Sequence, residues 1–276
     1  MMTSAVSIET GIVAASEPRI IAIARACARL ARIATSSTLR YLVWLPGDLA
    51  RANRPALRRA WRSRCVSSWA VAMTNAVGVR LHVSGPIPSA PFLLVSNHLS
   101  YLDIIVLLSL ADGRFVARHD LGSWPFIGNL VRAGGTILVE RERRADAAAA
   151  AAAMRAALED GNGVVLFPEG TSTAGRHVLP FRSSLFEPAV QLGQPVLTVA
   201  LRYATPEGSP SATDTVCWWG DMPFASHVWG MLMLPRIDAY VAFGAESVSG
   251  GDRKQLAAAA YESVAALHDS LAKEVA

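Results

Sequence analysis

Two hydrophobic runs flank a short polar stretch near residue 100. The first run, 91–95, has the length and composition of a buried strand, and the second, 104–110, has a helical pattern. Between them stands Ser96-Asn97-His98-Leu99-Ser100-Tyr101-Leu102-Asp103. His98 and Asp103 are therefore predicted at a junction where a buried strand passes into a buried helix.

Apolar strands and helices alternate along most of the chain. The predicted strands are 79–83, 91–95, 115–117, 136–139, 164–167 and 196–201. The predicted helices are 104–110, 145–159, 183–192 and 253–275, and a turn-rich piece at 122–128 precedes a short helix that ends near residue 132. Further strands at the sheet edge are expected at 213–219 and 239–243. This alternation predicts an α/β fold with a central, mostly parallel or mixed sheet flanked by helices.

The N-terminal part has a helical period and many arginines. In 19–33, Arg25, Arg29 and Arg32 are spaced to share one helix face, which predicts a basic amphipathic helix. The segment 65–79 is apolar but contains serine, threonine and asparagine, so we expect a helix in or near a membrane interface and not a full span. An ordinary surface helix packed on its own domain is the alternative for 19–33.

Charge is distributed unevenly along the chain. The formal net charge is +4, yet residues 1–85 contain twelve arginines against three acidic residues. A basic, apolar segment is attracted to an anionic bilayer surface. Nucleic acid is the competing partner, but the arginines alternate with aliphatic residues and no nucleic-acid motif accompanies them. We therefore expect an N-terminal helical membrane-association segment and no nucleic-acid partner.

His98 and Asp103 suit proton transfer. They are five positions apart, so an ideal helix would not hold both on one face. If His98 lies in the turn before the helix, the Asp103 carboxylate can reach the ring, fix its tautomer and stabilise the imidazolium. The structural alternative is a histidine at a helix start, with Asp103 interacting with the helix dipole.

Three later stretches complete a recognisable pattern. With the His-x4-Asp stretch, they resemble, in order and rough spacing, the four blocks of the 1-acylglycerol-3-phosphate acyltransferase superfamily. The resemblance covers roughly residues 85–205, and the connecting segment 118–128 is also similar to that family. The three stretches are Gly135-Thr136-Ile137-Leu138-Val139-Glu140-Arg141, Phe167-Pro168-Glu169-Gly170-Thr171-Ser172 and Pro195-Val196-Leu197-Thr198-Val199.

The resemblance implies transfer of a fatty acyl group to a lysolipid hydroxyl, forming phosphatidic acid from 1-acylglycerol-3-phosphate. The acyl group would come from acyl-CoA or acyl carrier protein as a thioester co-substrate, and no cofactor would be needed. The implied location is the cytoplasmic face of a bacterial inner membrane. The implied organisation is a membrane-association segment at 1–84, a catalytic core at 85–205 and a C-terminal extension of the α/β domain at 206–276.

The resemblance also implies residue roles. His98 would be the general base and Asp103 would orient it, while the acceptor's polar head would contact Arg141, Glu169, Gly170 and Thr171. A salt bridge to a neighbouring glutamate is the alternative for Arg141, and a structural carboxylate is the alternative for Glu169. Backbone N–H groups after His98 or in the 169–170 turn are candidate oxyanion donors. The remaining histidines and the cysteines show no metal-ligand spacing, so no metal site is expected.

One segment departs from the common pattern. Many relatives have Phe-Lys-x-Gly after the third block, whereas this chain has Phe181-Arg182-Ser183-Ser184. The segment 171–186 is more similar to the bacterial branch that acylates lyso-ornithine lipid. That lipid is therefore the alternative acceptor.

Two other functions compete with acyl transfer. A non-catalytic lipid-binding protein on the same fold is disfavoured because the residues at 98, 103, 141 and 169 are all intact. A serine esterase is disfavoured because no Gly-x-Ser-x-Gly sequence is present.

Overall fold

The computed structural model describes residues 17–119, 134–139 and 144–275. Its centre is a seven-stranded sheet in the order β1-β7-β6-β2-β5-β3-β4. Among the described strands, every neighbouring pair is parallel except β6–β7, which is antiparallel. The predicted α/β fold with a mostly parallel sheet is therefore confirmed. The strands are β1 (Val79–Ser84), β2 (Leu93–Ser96), β3 (Gly113–Arg118), β4 (Ile137–Val139), β5 (Gly163–Leu166), β6 (Val196–Ala204) and β7 (Ile237–Phe243).

Eight α-helices and a short 3₁₀ turn at Ser183–Phe186 are described around this sheet. The predicted short helix near residue 132 lies outside the described residues. The helices are α1 (Arg19–Leu49), α2 (Pro55–Val77), α3 (Leu102–Leu110), α4 (Arg144–Glu159), α5 (Glu187–Leu192), α6 (Ala212–Thr215), α7 (Phe224–Met233) and α8 (Arg253–Val275).

Alternating side chains of the strands build two cores, one on each face of the sheet. In β2, Leu94 packs into the core under α2, α3 and α7, whereas Leu93 and Val95 pack into the core under α4, α5 and α8. β6 alternates in the same way along its length. Since successive side chains of a strand point to opposite faces, a strand that is apolar throughout is covered on both sides. The result is a sheet between two helical layers.

Two expectations for the C-terminal part were wrong. The segment 213–219 is not an edge strand, because Ala212–Thr215 is a helical turn. Ser211 begins this turn, and its hydroxyl donates to the Asp214 carboxylate at 2.6 Å, a pairing typical of a helix start. The strand at 239–243 exists, but it lies inside the sheet between β1 and β6, because its residues are almost all apolar and are covered on both faces.

The N-terminal helices α1 and α2 form an antiparallel hairpin that packs on α3. Its turn is held by the buried Asp48 carboxylate, which receives Nε–H and Nη2–H donations from both Arg58 and Arg62. The four hydrogen bonds are 2.5–2.9 Å long, and the two guanidinium groups hold the pKa of Asp48 well below its usual range. Among the described residues, no helix is long and apolar enough to cross a membrane.

Two arginines of the predicted basic face of α1, Arg25 and Arg29, contact the protein, whereas Arg32 is exposed, so the expected basic surface is only partly present. Arg29 is only 7% exposed and donates to the carbonyls of Leu232, Leu234 and Pro235, where α7 ends. Arg25 donates to the carbonyl of Met233 at 2.7 Å. The carbonyls at a helix C-terminus lack partners within the helix, and cationic side chains satisfy them well. These two arginines therefore attach α1 to α7.

A glycine makes room for this contact. Gly78 ends α2 with a φ of +87°, and a Cβ at this position would collide with the Arg29 guanidinium. The same glycine's carbonyl accepts from the N–H of Ile237, where β7 begins. The positive φ and the close approach both require glycine.

Candidate active site

The polar stretches that contain His98 and Glu169 meet at the carboxyl edge of the parallel strands. β2 ends immediately before His98, and the neighbouring β5 ends shortly before Glu169. β6, on the other side of β2, completes the group of three parallel strands. In open α/β sheets, ligands bind in the crevice at this edge.

The predicted contact between His98 and Asp103 is present. The His98 Nδ1 and Asp103 Oδ2 atoms are 2.8 Å apart. His98 lies in the turn before α3, and Asp103 is in the first turn of that helix. The same Oδ2 atom accepts from the backbone N–H groups of Leu99 and Ser100, at 2.7 Å and 3.0 Å. Asp103 is fully buried, so these donors replace the water that a carboxylate would otherwise bind.

The second carboxylate oxygen of Asp103 has a partner that sequence reasoning missed. The Tyr203 hydroxyl on β6 donates to Asp103 Oδ1 at 2.8 Å. Burial and the neighbouring Asp103 charge raise the pKa of Tyr203 well above its usual value, so the phenol stays protonated and can only donate to the carboxylate. Tyr203 is 100 positions from Asp103, and only the β2–β6 pairing brings them together.

The His98 ring is fixed on one side and open on another. It stacks on Phe167 with ring centroids 4.0 Å apart and an interplanar angle of 13°. The side chain keeps 21% of its surface exposed. Because Asp103 accepts the Nδ1 proton, the Nε2 atom carries the lone pair, and no hydrogen bond to Nε2 forms within the described part of the chain. The arrangement leaves Nε2 as the ring nitrogen that can accept a proton at the crevice.

Glu169 is buried, and both of its carboxylate oxygens are engaged. Oε1 accepts from the backbone N–H of His98 at 2.7 Å, and Oε2 accepts from the N–H of Leu179 at 2.9 Å. Burial raises the pKa of Glu169 to about 7, although the two N–H donors oppose the shift. These contacts support the structural alternative for Glu169, because they tie the His98 turn to the segment around residue 179.

Gly170 and Thr171 follow at the rim of the crevice. Gly170 has a φ of +78°, a conformation that favours glycine, and Thr171 is exposed. The Thr173 N–H donates to the His98 carbonyl at 2.9 Å, which holds this turn beside the histidine. Arg141 lies outside the described residues, so its expected role stays a prediction.

A wall of the crevice comes from a region that the sequence pattern left undefined. The Trp218 N–H donates to the Leu99 carbonyl at 2.8 Å, and Ser172 Oγ donates to the Trp218 carbonyl. Tyr101 donates to His227 Nδ1 at 2.9 Å, while His227 Nε2 donates to the Cys217 carbonyl at 3.0 Å. No motif marks these residues, because their contacts arise from tertiary packing.

Comparison with known proteins places this geometry in a family. The acyltransferase family profile matches residues 78–202. A 1-acyl-sn-glycerol-3-phosphate acyltransferase of Neisseria gonorrhoeae is 30% identical over 210 residues, covering 75% of this chain and 81% of that protein. The chain belongs to the 1-acylglycerol-3-phosphate acyltransferase superfamily.

Other members of the superfamily carry a second name. A lyso-ornithine lipid O-acyltransferase of Rhodobacter capsulatus is 37% identical over 164 residues, which is 58% of this chain and 58% of that protein. One of Brucella abortus is 32% identical over 234 residues, covering 78% of this chain and 85% of that protein. The crystal structure of the acyltransferase PlsC from Thermotoga maritima has the same fold, with a TM-score of 0.62 at 20% identity. The match covers 88% of this chain and 98% of the PlsC chain.

No metal-binding cluster is found in the part of the chain that the structure describes. Groups of three or more histidine, cysteine, aspartate or glutamate side chains with metal-site geometry are absent there.

Proposed function

We propose that this protein is a lysolipid O-acyltransferase that uses His98 as its general base. The observation that carries the proposal is the His98–Asp103 hydrogen bond beside an accessible Nε2. Nε2 takes the proton of the acceptor hydroxyl as the hydroxyl oxygen attacks the thioester carbonyl carbon. The tetrahedral intermediate then collapses, the C–S bond breaks, and the donor leaves as a thiolate that takes up the proton. The ester forms directly, with no acyl-enzyme.

Asp103 acts through the histidine. Its carboxylate keeps the proton on Nδ1 and stabilises the imidazolium that forms during attack. Four donors converge on this carboxylate, so it stays in place while the proton moves.

The oxyanion of the intermediate needs hydrogen-bond donors. The N–H groups of His98, Leu99 and Ser100 already donate to Glu169 and Asp103. They are therefore not available to bind the oxyanion. The backbone N–H groups of Thr171 and Ser172 donate to no acceptor among the described residues. We assign the oxyanion site to this turn, next to Gly170, whose φ is +78°.

The proposed acceptor is 1-acylglycerol-3-phosphate, with a fatty acyl thioester of CoA or acyl carrier protein as the donor. The support is the similarity to the Neisseria enzymes across most of their length. Arg141, Gly170 and Thr171 are the proposed contacts to the phosphate head, with Glu169 shaping the site through the backbone of His98. A guanidinium binds a phosphate through two parallel hydrogen bonds.

Lyso-ornithine lipid is the second candidate acceptor. The observation that favours it is the 37%, 35% and 32% identity to three proteins named for that activity. The segment 171–186 adds to this support, since it is similar to that branch. The catalytic step is the same for both acceptors, because each offers a hydroxyl to His98.

We also propose that α1 attaches the enzyme to the cytoplasmic face of a bacterial inner membrane. The side of α1 opposite its arginine face exposes an apolar stripe near both ends of the helix. Both thioester donors are cytoplasmic molecules, so the active site has to lie on the cytoplasmic side of the membrane. The stripe consists of Ile20, Ile23, Leu30, Leu42, Leu45 and Leu49.

A thiol-release assay tests the catalytic proposal. Purified protein is mixed with an acyl-CoA or an acyl carrier protein thioester and with each lysolipid in turn, and free thiol is measured. His98→Ala should lower turnover by about 10²–10⁴-fold without changing the unfolding midpoint, because the hydroxyl loses its base. Retention of more than about a tenth of wild-type turnover would exclude the general-base role. A wild-type preference for lyso-ornithine lipid would select the second acceptor.

A further inference from the structure

A cleft between α1 and α2 shares no residue with the His98 site. Its volume is about 400 Å³, within the usual range for small-ligand sites. Its wall combines apolar side chains with two guanidinium groups, a hydroxyl and a thiol. The lining residues are Leu39, Arg40, Val43, Trp61, Arg64, Cys65 and Ser68.

The two arginines of this cleft differ from three other arginines of α2, which are paired with carboxylates. Arg58 and Arg62 both bind Asp48, and Arg59 pairs with Asp160. Arg40 and Arg64 have no carboxylate within ion-pair distance in the parts of the chain that the structure describes. Two uncompensated positive charges therefore face one concave surface.

Arg40 is also held in place. Its Nη1–H donates to Ser36 Oγ on α1 at 2.6 Å, and its Nε–H points to Ser68 Oγ on α2 at 3.4 Å. These contacts fix the plane of the guanidinium between the helices, and its Nη2 group donates to no described acceptor. A guanidinium that is already oriented loses less side-chain entropy when an anion binds.

The apolar half of the cleft is open to solvent. Leu39 and Val43 line it from α1 and are 58% and 60% exposed. A matching ligand therefore carries an anionic group for the two arginines and an alkyl chain for the leucine and valine side chains. An anionic phospholipid has both parts, and a free acidic peptide or inorganic phosphate lacks the alkyl chain.

We propose that the Arg40–Arg64 cleft binds one anionic phospholipid, with the phosphate on the two guanidinium groups and an acyl chain along Leu39 and Val43. The proposal rests on the membrane association proposed above and adds a defined lipid site to it. The site takes part in no bond-forming step. It fixes how deeply and at what angle the α1–α2 hairpin lies in the bilayer surface.

The test follows the reactivity of Cys65, which lines the cleft. In a Cys27→Ser background, Cys65 is the accessible thiol, since Cys217 is buried. Maleimide labelling is measured with a short-chain phosphatidylglycerol kept below its micelle concentration, so that no membrane forms and no acyl donor is present. Labelling should slow by about tenfold at roughly ten times the dissociation constant, because only about a tenth of the clefts are then empty.

Two variants that remove equal charge locate the effect. Arg40→Gln/Arg64→Gln should abolish the protection, whereas Arg32→Gln/Arg54→Gln, which changes exposed arginines outside the cleft, should keep it. Short-chain phosphatidylcholine and inorganic phosphate should protect Cys65 weakly or not at all. Equal protection by these two compounds, or by phosphatidylglycerol in both variants, overturns the proposal. Because the readout is binding without catalysis, loss of acyltransferase activity has no influence on it.

Discussion

At the scale of single residues, the site depends on the Asp103 carboxylate, which accepts four hydrogen bonds from two parts of the chain. Asp103 binds His98 and two N–H groups from its own turn, and the fourth donor is Tyr203 from β6. The Tyr203 hydroxyl withdraws charge from the oxygen that does not face the histidine. It therefore influences how strongly Asp103 holds the imidazolium.

Tyr203→Phe should lower kcat by about tenfold and leave the acceptor KM nearly unchanged, since a hydrogen bond to a charged group is worth about 1.5–3 kcal/mol. Without this donor the Asp103 carboxylate is held by its own turn alone, so it positions the imidazole less firmly during attack and kcat falls.

Tyr240→Phe on β7 is the matched control for this change, because Tyr240 stacks on His82 and does not contact Asp103. The control should leave kcat and the acceptor KM unchanged. If Tyr203→Phe lowers only the unfolding temperature and keeps the wild-type kcat, the tyrosine is a packing residue.

The buried Glu169 predicts a pH dependence of stability. Burial raises its pKa in the folded protein to about 7 from a normal value near 4.5, so between these pH values the folded state binds more protons than the unfolded state. Stability from this group is therefore complete below about pH 4.5 and is lost as pH rises to 7, by at most about 1.4 kcal/mol per pH unit.

Glu169→Gln removes this titration and provides the comparison. The free energy of unfolding, measured by urea titration from pH 4.5 to 8, should fall in the wild type relative to the variant until about pH 7, and the difference should then be constant. If the free energy of unfolding of the wild type instead rises with pH relative to that of the variant, the two N–H donors outweigh burial and the carboxylate is ionised throughout.

Sequence alone could give the His98–Asp103 contact and could not give Tyr203. His98 and Asp103 belong to one local turn, so their spacing and the flanking apolar runs were sufficient. Tyr203 stands at the end of an apolar strand, where a tyrosine is common, and its contact depends on which strand pairs with β2. The contacts of Trp218 and His227 were missed for the same reason, because they also depend on tertiary packing.

At the scale of elements, the orientation of α1 is set by the end of α7. Arg29 supplies hydrogen-bond donors to three carbonyls that α7 and its exit leave unpaired, with distances of 2.7–3.1 Å. Burial lowers the pKa of Arg29 to about 10, so the guanidinium is charged at neutral pH. The helical period predicted that three arginines share a face, but it could not tell whether that face met solvent or protein.

Arg29→Met should destabilise the protein by about 2–4 kcal/mol, because the methionine keeps the apolar stem and leaves the buried carbonyls without donors. Arg32→Met changes an exposed arginine on the same helix and should have little effect. Urea denaturation of both variants measures the difference. Equal stability of the two would show that α1 is held by apolar packing alone.

At the scale of the whole molecule, the sheet joins segments that the sequence pattern treated separately. β1 comes from the segment before residue 85, β7 comes from the segment after residue 205, and they pair with each other at one side of the sheet. Strand periodicity identified most strands, but pairing between distant strands leaves no local pattern. For that reason β7 was taken for an edge strand. The division into segments at 84 and 205 stays a prediction.

The last prediction concerns how the whole molecule meets a bilayer. If the apolar stripe of α1 is the anchor, insertion should persist at high salt, because apolar burial is not screened, whereas contacts of arginines with lipid phosphates weaken. Flotation with liposomes, at low and at 1 M salt, measures this. Leu42→Ser/Leu45→Ser/Leu49→Ser should abolish the salt-resistant fraction, since each leucine lies on the exposed stripe. Val83→Ser/Ile87→Ser, which removes exposed apolar surface away from α1, should float like the wild type. If the stripe variant floats like the wild type at 1 M salt, the anchor lies elsewhere, and the exposed leucines have another role.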